Sequence, residues 1–234
     1  MTTDSVPDIP RVLSPTERRE RMRSEMVNAI LEAARAVMNE RGVAALSLRE
    51  VARRVKLQAP SLYAYFPSKA ALYDALYVLG IRRYRAYKDR SAEGVHSFWD
   101  YMFAWFATYM QFAQEHPDLY QLAFERPVPG FAPSDENMAE SRRLLDGVDK
   151  ILDEAMNEGW IRPHVSVSQA HDLIIAMSHG LTSQHMANEP DLAIGSGRYG
   201  SLIPAAVELF RLAWEPNHPV DQGKSDAGTD PARP

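Results

Sequence analysis

The sequence predicts an all-α protein. Three features predict this fold class: repeated helix start signals, apolar residues spaced three and four apart, and the lack of an alternating strand pattern. The chain has 234 residues, of which 45% are apolar and 24% charged. This composition is that of a folded protein with a hydrophobic core of its own.

The N-terminal third carries start signals for four helices. Each signal is a capping serine, a proline where a helix tolerates one, or both. The signals are Ser14-Pro15-Thr16-Glu17, Ser47-Leu48-Arg49-Glu50, Pro60 before SLYAYF, and Ser68 before KAALYDALYVLG. They predict a long first helix that Gly42 ends, a short second helix, a short third helix that runs to Phe66, and a long fourth helix.

Four more helices are predicted at 97–115, 135–158, 167–187 and about 199–213, and a short segment at 118–125 follows the first of them. The helix at 97–115 has large apolar residues on more sides than a single stripe requires, so we expect burial on more than one face. The predicted domains are a disordered arm at 1–14, a helix-turn-helix head at 15–67, a helical body at 68–214 that opens with a connecting helix at 68–88, and a disordered tail at 215–234.

Charge is divided along the chain. Residues 1–90 contain 17 Lys and Arg against 10 Asp and Glu, a net charge of +7, and residues 91–234 contain 9 against 21, a net charge of −12. These values sum to the formal charge of −5. A basic head on an acidic body favours a head that binds nucleic acid, although a chance imbalance among solvated faces would look the same.

Several function classes are excluded by residue types that the sequence lacks. There is no cysteine, and therefore no disulfide, thiolate metal site or cysteine nucleophile. No signal peptide or membrane-length apolar run is present, so we expect a cytoplasmic protein. No G-x-S-x-G, G-K-[ST] or H-E-x-x-H motif occurs, and His171, His179 and His185 are spaced eight and six apart rather than three or four. We expect no enzymatic activity, cofactor or metal.

The second and third predicted helices, joined by Val55-Lys56-Leu57-Gln58, have the layout of a helix-turn-helix. The segment LSLREVARRVKLQAPSLYAYFPSKAALYDAL resembles the DNA-binding signature of the TetR family of transcriptional regulators. The positions that match the family pattern are Gly42, Ser47, Ala52, Leu62, Tyr63, Tyr65, Phe66, Ser68, Lys69 and Leu72. Many family members have glycine at Lys56 and serine at Gln58, so this turn must tolerate a lysine and the third helix has a poorer cap.

The resemblance implies a role for each matching residue of the head. Ala59, Pro60 and Ser61 would face the bases, and Arg49 would reach a base edge or a phosphate. Tyr63, Tyr65 and Lys69 would bind phosphate oxygens. Leu62 and Phe66 would be core. The arginines that precede or open the first helix could track phosphates or pair with neighbouring glutamates: Arg11, Arg18, Arg19, Arg21 and Arg23.

The resemblance also implies a body that binds a small molecule and dimerises. Apolar candidates for the ligand pocket are Trp99, Phe103, Phe106, Tyr109, Met110, Tyr120, Phe124, Met138 and Trp160; each could equally be core. Candidates for the dimer interface on the last two long helices are Ile174, Met177, Gly180, Leu181, Val207 and Phe210.

The leading interpretation is a homodimeric, ligand-responsive repressor that an apolar or aromatic molecule releases from a palindromic DNA operator. One alternative is an all-α small-molecule binder or enzyme whose basic head is only structural, but no acid–base or metal constellation supports it. An architectural DNA protein is a third possibility, which the acidic body disfavours.

Overall fold

The computed structural model describes residues 13–216, and this part of the chain contains ten α-helices and no strand. The helices are α1 (Pro15–Arg41), α2 (Leu48–Arg54), α3 (Ala59–Leu62), α4 (Lys69–Ser91), α5 (Phe98–Glu115), α6 (Pro117–Tyr120), α7 (Asp135–Asn157), α8 (Val167–Asn188), α9 (Gly197–Gly200) and α10 (Ile203–Trp214). The predicted all-α class is confirmed. Most of the predicted arm and tail, with Arg11, lies outside the described residues.

The capping signals form as the sequence predicts. The hydroxyl of Ser14 accepts from the backbone N–H of Glu17 at 3.2 Å, and the Glu17 carboxylate accepts from the backbone N–H of Ser14 at 2.7 Å. Ser47 caps α2 through the N–H of Glu50, and Ser68 accepts from the N–H of Ala71. Each bond satisfies an amide that has no partner within its own helix.

Two predicted helices differ from the structure, and proline explains both differences. The third helix is regular only over Ala59–Leu62 and continues as turns to Phe66, which Pro67 follows. Proline disfavours the helical backbone conformation for the residue that precedes it. The helix predicted at 199–213 is instead two helices, α9 and α10, because Pro204 fits only the first turn of a helix.

The chain forms two compact units. The first contains the described residues up to Ile81 together with His116–Met138. In it α1 packs against α2 and α6, burying Ile30, Ala34 and Val37. Gly80 allows α4 to approach the α6 segment closely, since a Cβ there would lie 3.4 Å from both Cβ and the carbonyl oxygen of Leu119.

The second unit contains Arg82–Glu115 and the described residues from Ala139 onward. Its centre is α5, which packs against α8 and α10. The rings of Phe106 and Phe210 are 6.3 Å apart, and the Tyr109 hydroxyl lies 3.1 Å from Nδ1 of His179. Across residues 13–216 no helix is both long and apolar enough to cross a membrane.

Candidate nucleic-acid interface

The turn between α2 and α3 adopts a backbone shape that suits glycine but contains a lysine. Lys56 has φ +56°, in the left-handed region. The turn is closed by the N–H of Leu57, which donates to the carbonyl of Ala52 at 2.9 Å. Gln58 is the N-cap of α3, and its side chain makes no capping bond. Both features are those expected from the sequence, and they orient α3 at some cost in local stability.

The α3 segment separates its core residues from its exposed residues. Leu62 is fully buried and Phe66 is 7% exposed, which anchors the segment to the rest of the unit. The outward-facing residues are Ala59, Pro60, Ser61 and Tyr63, and Tyr63 is 51% exposed. A short helix that is anchored by buried residues on one face and exposed on the other can enter the major groove of DNA with its exposed face.

Three arginines of α2 have different surroundings. The carboxylate of Glu50 accepts from Arg53 at 2.7 and 2.9 Å and from Arg54 at 3.0 Å, and Arg54 also binds Glu40. Within the described residues, exposed Arg49 makes no ion pair or hydrogen bond. Arg49 is therefore the α2 arginine whose guanidinium is available to an outside partner.

The electrostatics of α2 follow from this pairing. Hydrogen bonds from Arg53, and then from Arg54, lower the pKa of Glu50 to about 2 from its ordinary value of 4.5. Arg54 in turn lowers the pKa of Glu40 by a side-chain hydrogen bond. Two of the positive charges that the sequence places on α2 thus neutralise glutamates instead of facing solvent alone.

Lys69 and Tyr65 are held in place by contacts that the sequence did not reveal. The ammonium of Lys69 donates to the carbonyl of Ala44 at 3.2 Å and lies 5.3 Å from the ring centroid of Tyr73. The guanidinium of Arg23 lies 5.2 Å above the ring of Tyr65. Lys69 stands at the first position of α4, where helix amides favour an anion. From the sequence, Arg23 could track phosphate or pair with a neighbouring glutamate, and no sequence signal pairs it with Tyr65.

An open depression of about 490 Å³ lies beside these residues. It is lined by Arg41, Ser47, Arg49, Glu50, Ala52, Arg53, Leu57, Gln58 and Ala59. The structure thus brings Arg49 and Ala59 to one surface of the first unit. Fold and site together define a helix-turn-helix DNA-binding protein.

Comparison with known proteins identifies the family. Residues 30–76 match the bacterial regulatory proteins of the tetR family, and residues 102–195 match the tetracyclin repressor-like C-terminal domain. The chain belongs to the TetR family of transcriptional regulators, whose members combine DNA binding with a response to small molecules.

Individual relatives agree with this assignment. The HTH-type transcriptional regulator UidR of Escherichia coli K12 is 25% identical over 172 residues, covering 71% of this chain and 86% of UidR. The class A tetracycline repressor of transposon 1721, from Escherichia coli, is 45% identical over 49 residues, which is 21% of this chain and 23% of the repressor. The crystal structure of FadR from Bacillus subtilis in complex with stearoyl-CoA has a TM-score of 0.62 at 15% identity and covers 78% of this chain and 96% of FadR.

The residues predicted to line a ligand pocket are distributed over both units. In the first unit Tyr120 is buried, and Phe124 and Met138 are half-buried. In the second unit the buried candidates are Trp99, Phe106, Tyr109 and Met110, while Trp160 is half-buried and Phe103 is 45% exposed. Trp160 lines an open depression of about 260 Å³ with Phe98, Tyr101 and Ile151.

The residues predicted for a dimer interface divide between the inside and the outside of the second unit. Ile174, Val207 and Phe210 are buried within the chain itself. Met177 and Leu181 are half-buried, and Gly180 is exposed with open space where a Cβ would lie. The apolar residues that the same two helices expose most are Leu173 at 53%, Leu209 at 59% and Leu212 at 45%.

Proposed function

We propose that this regulator is a cytoplasmic, non-enzymatic repressor that binds a palindromic operator as a homodimer. In this proposal a small apolar or aromatic molecule binds the body and releases the DNA. The observation that carries the proposal is the exposed surface of the helix-turn-helix, where Ala59, Pro60, Ser61 and unpaired Arg49 are available while Leu62 anchors the helix. Small apolar side chains suit contact with thymine methyl groups, and arginine suits guanine or phosphate.

A dimer is supported by the length of α3, the helix proposed to contact the bases, and by the surface of the second unit. α3 has four regular helical residues, so one copy touches few base pairs, and a symmetric pair doubles the contact. Leu173 on α8 and Leu209 and Leu212 on α10 present apolar surface to solvent. Exposed leucines on two helices that both pack against α5 favour association with a second copy across a two-fold axis.

An apolar effector is supported by the composition of α5 and its neighbours. Phe106, Tyr109 and Met110 are buried along α5, so the centre of the second unit is lined by aromatic and methionine side chains. Such walls accept apolar and aromatic molecules. α4 and α7 each contribute residues to both units, so a shift of either helix on ligand binding would reach the head.

The direct test is an electrophoretic mobility shift on the DNA upstream of the protein's own coding sequence. We expect a retarded band for the wild-type chain and a loss of about 1–3 kcal/mol in binding free energy for Arg49→Ala. Arg53→Ala is the matched control, since Arg53 is bound to Glu50, and it should weaken binding less. If the protein retards neither the upstream DNA nor any sequence selected from a random pool, the result would favour the alternative, an all-α small-molecule binder or enzyme whose basic head is only structural.

A further inference from the structure

Two buried polar side chains of α8 lack hydrogen-bond partners. Thr182 is 1% exposed and His185 is 0% exposed. Neither the hydroxyl of Thr182 nor either ring nitrogen of His185 bonds to any residue in the described part of the chain. Residues three apart on a helix lie on the same face, so the two form a pair. Native structures leave few buried polar groups unbonded.

The other polar residues on this side of α8 are satisfied. The Ser178 hydroxyl donates to the carbonyl of Ile175 at 3.1 Å. His171 bonds to Asp149, and His179 lies 3.1 Å from the hydroxyl of Tyr109. Thr182 and His185 therefore differ from these residues of the same helix, because their polar atoms have no hydrogen-bond partner within residues 13–216. The presence of polar residues along α8 does not by itself explain why two of them are buried without a partner there.

The stretch of α5 that faces the C-terminal half of α8 buries apolar residues. α5 meets α8 through Tyr109 and His179, and Gln114 donates to the carbonyls of Pro190 and Leu192, just beyond the end of α8. Between these two contacts α5 buries Met110 and Ala113, which are apolar, whereas the ring of Phe112 packs against Tyr84 and Tyr87 of α4 and Gln111 is exposed. A group that binds Thr182 and His185 would accordingly have an apolar remainder.

On the side of α9 and the end of α8, no group among the described residues hydrogen-bonds to the ring of His185. A Cβ at Gly200 would lie 3.4 Å from Nδ1 of His185, so the glycine brings bare backbone against the ring. The Glu189 carboxylate is 4.0 Å from Nδ1, too far for a hydrogen bond. It accepts instead from the backbone N–H groups of Arg198 and Tyr199.

We infer that Thr182 and His185 are the polar anchor of the effector site, and that the effector is an apolar molecule with one hydroxyl, carbonyl or carboxylate group. This inference rests on the proposed function. A neutral imidazole offers one donor and one acceptor, and a hydroxyl offers both, so the pair can serve one oxygen function completely. A sugar or other polyol would bury more hydroxyl groups than the pair can serve.

The test compares 2-naphthol with naphthalene, which has the same rings without the hydroxyl, in equilibrium dialysis against the full chain without DNA. We expect the wild type to bind 2-naphthol at least about tenfold more tightly. Thr182→Val and His185→Leu should reduce this preference to nearly one. Ser178→Ala is the matched control, because its hydroxyl is already bonded within α8, and it should keep the preference.

Thermal unfolding of the ligand-free variants provides a second readout. Replacing an unbonded buried polar group by an apolar one of similar size should leave the midpoint unchanged or raise it by about 2–4 °C. A fall of that size in both Thr182→Val and His185→Leu would mean that the pair holds the fold together, and would overturn the inference. Equal binding of the two probes by the wild type, or binding of neither, would also overturn it.

The outcomes separate this inference from the proposed function. If the protein prefers 2-naphthol but stays on its operator with either probe bound, the result supports the polar anchor and contradicts release of DNA by an effector. If naphthalene and 2-naphthol release the protein from DNA equally well, the result supports the proposed function and overturns the polar anchor.

Discussion

The guanidinium of Arg35 on α1 donates to both carboxylate oxygens of Asp118 on α6, at 2.9 and 3.3 Å. The Asp118 side chain is fully buried and that of Arg35 is 11% exposed. This pair ties α6 to the longest helix of the head within the first unit. Leu119, packed against Gly80 of α4, gives the same segment a second attachment.

Removing Asp118 should strongly destabilise the first unit. Asp118→Ala leaves the guanidinium of Arg35 buried without its principal partner, and we expect a loss of about 3 kcal/mol in the free energy of unfolding. Chemical denaturation measures it. Arg21→Ala is the control on the same helix, because it breaks only the exposed pair of Arg21 and Glu25 and should cost less than about 0.5 kcal/mol. Equal losses in the two variants would contradict a structural role for the buried pair.

Acid should weaken the fold through Glu50. Because the pKa of Glu50 is lowered to about 2 in the folded state from an ordinary value of 4.5, its contribution to stability is present above pH 4.5 and is lost as the pH falls towards 2. Glu50→Gln should therefore show a smaller fall in thermal midpoint than the wild type between pH 5 and pH 3. Glu20→Gln, an exposed position on α1, should follow the wild-type curve.

Replacing Lys56 by glycine should stabilise the turn. A non-glycine residue at φ +56° pays a left-handed backbone penalty that glycine avoids, so Lys56→Gly should gain about 1 kcal/mol. For a chain of this size that corresponds to a rise of about 2–4 °C in thermal midpoint. Lys56→Ala removes the same charge but keeps the Cβ and should show no such gain. A gain in both variants would assign the effect to charge.

Tyr63 and Ser61 should differ in what they contribute to DNA binding. Tyr63→Phe removes an exposed hydroxyl that is proposed to bind phosphate, so affinity should fall by a similar factor on every operator sequence. Ser61→Ala removes an exposed side chain that is proposed to face the bases, so it should also relax sequence preference, by about 1–3 kcal/mol at one position. Binding to a set of single-base operator variants distinguishes the two. The same profile for both variants would show that Ser61 does not read bases.

A charge on the exposed face of α10 should separate the dimer. Leu209 is 59% exposed, and Leu209→Glu would place a carboxylate inside the proposed interface. Sedimentation at micromolar concentration should show a dimer for the wild type and a monomer for this variant. Leu145→Glu on α7 is the matched control, since Leu145 is also a leucine exposed at 40%, and it should remain dimeric. A monomeric wild type would refute the proposed dimer.

Helix starts and the helix-turn-helix were predictable because their causes are local. The capping bonds of Ser14, Ser47 and Ser68 join residues three apart, and the burial of Leu62 and Phe66 follows from their spacing on one short segment. The position of the turn at Lys56 likewise depends on neighbouring backbone alone. Family membership follows from the same local pattern.

The direction in which the body helices face was decided only by tertiary structure. The family resemblance made Ile174 and Phe210 candidates for a dimer interface, but α8 and α10 bury them within the chain and expose Leu173 and Leu209 instead. Adjacent apolar residues on a helix differ by only about 100° in direction, so the sequence does not show which of them meets the core. The pairing of Arg35 with Asp118, 83 residues apart, and the unbonded state of His185 depend in the same way on which helices the fold brings together.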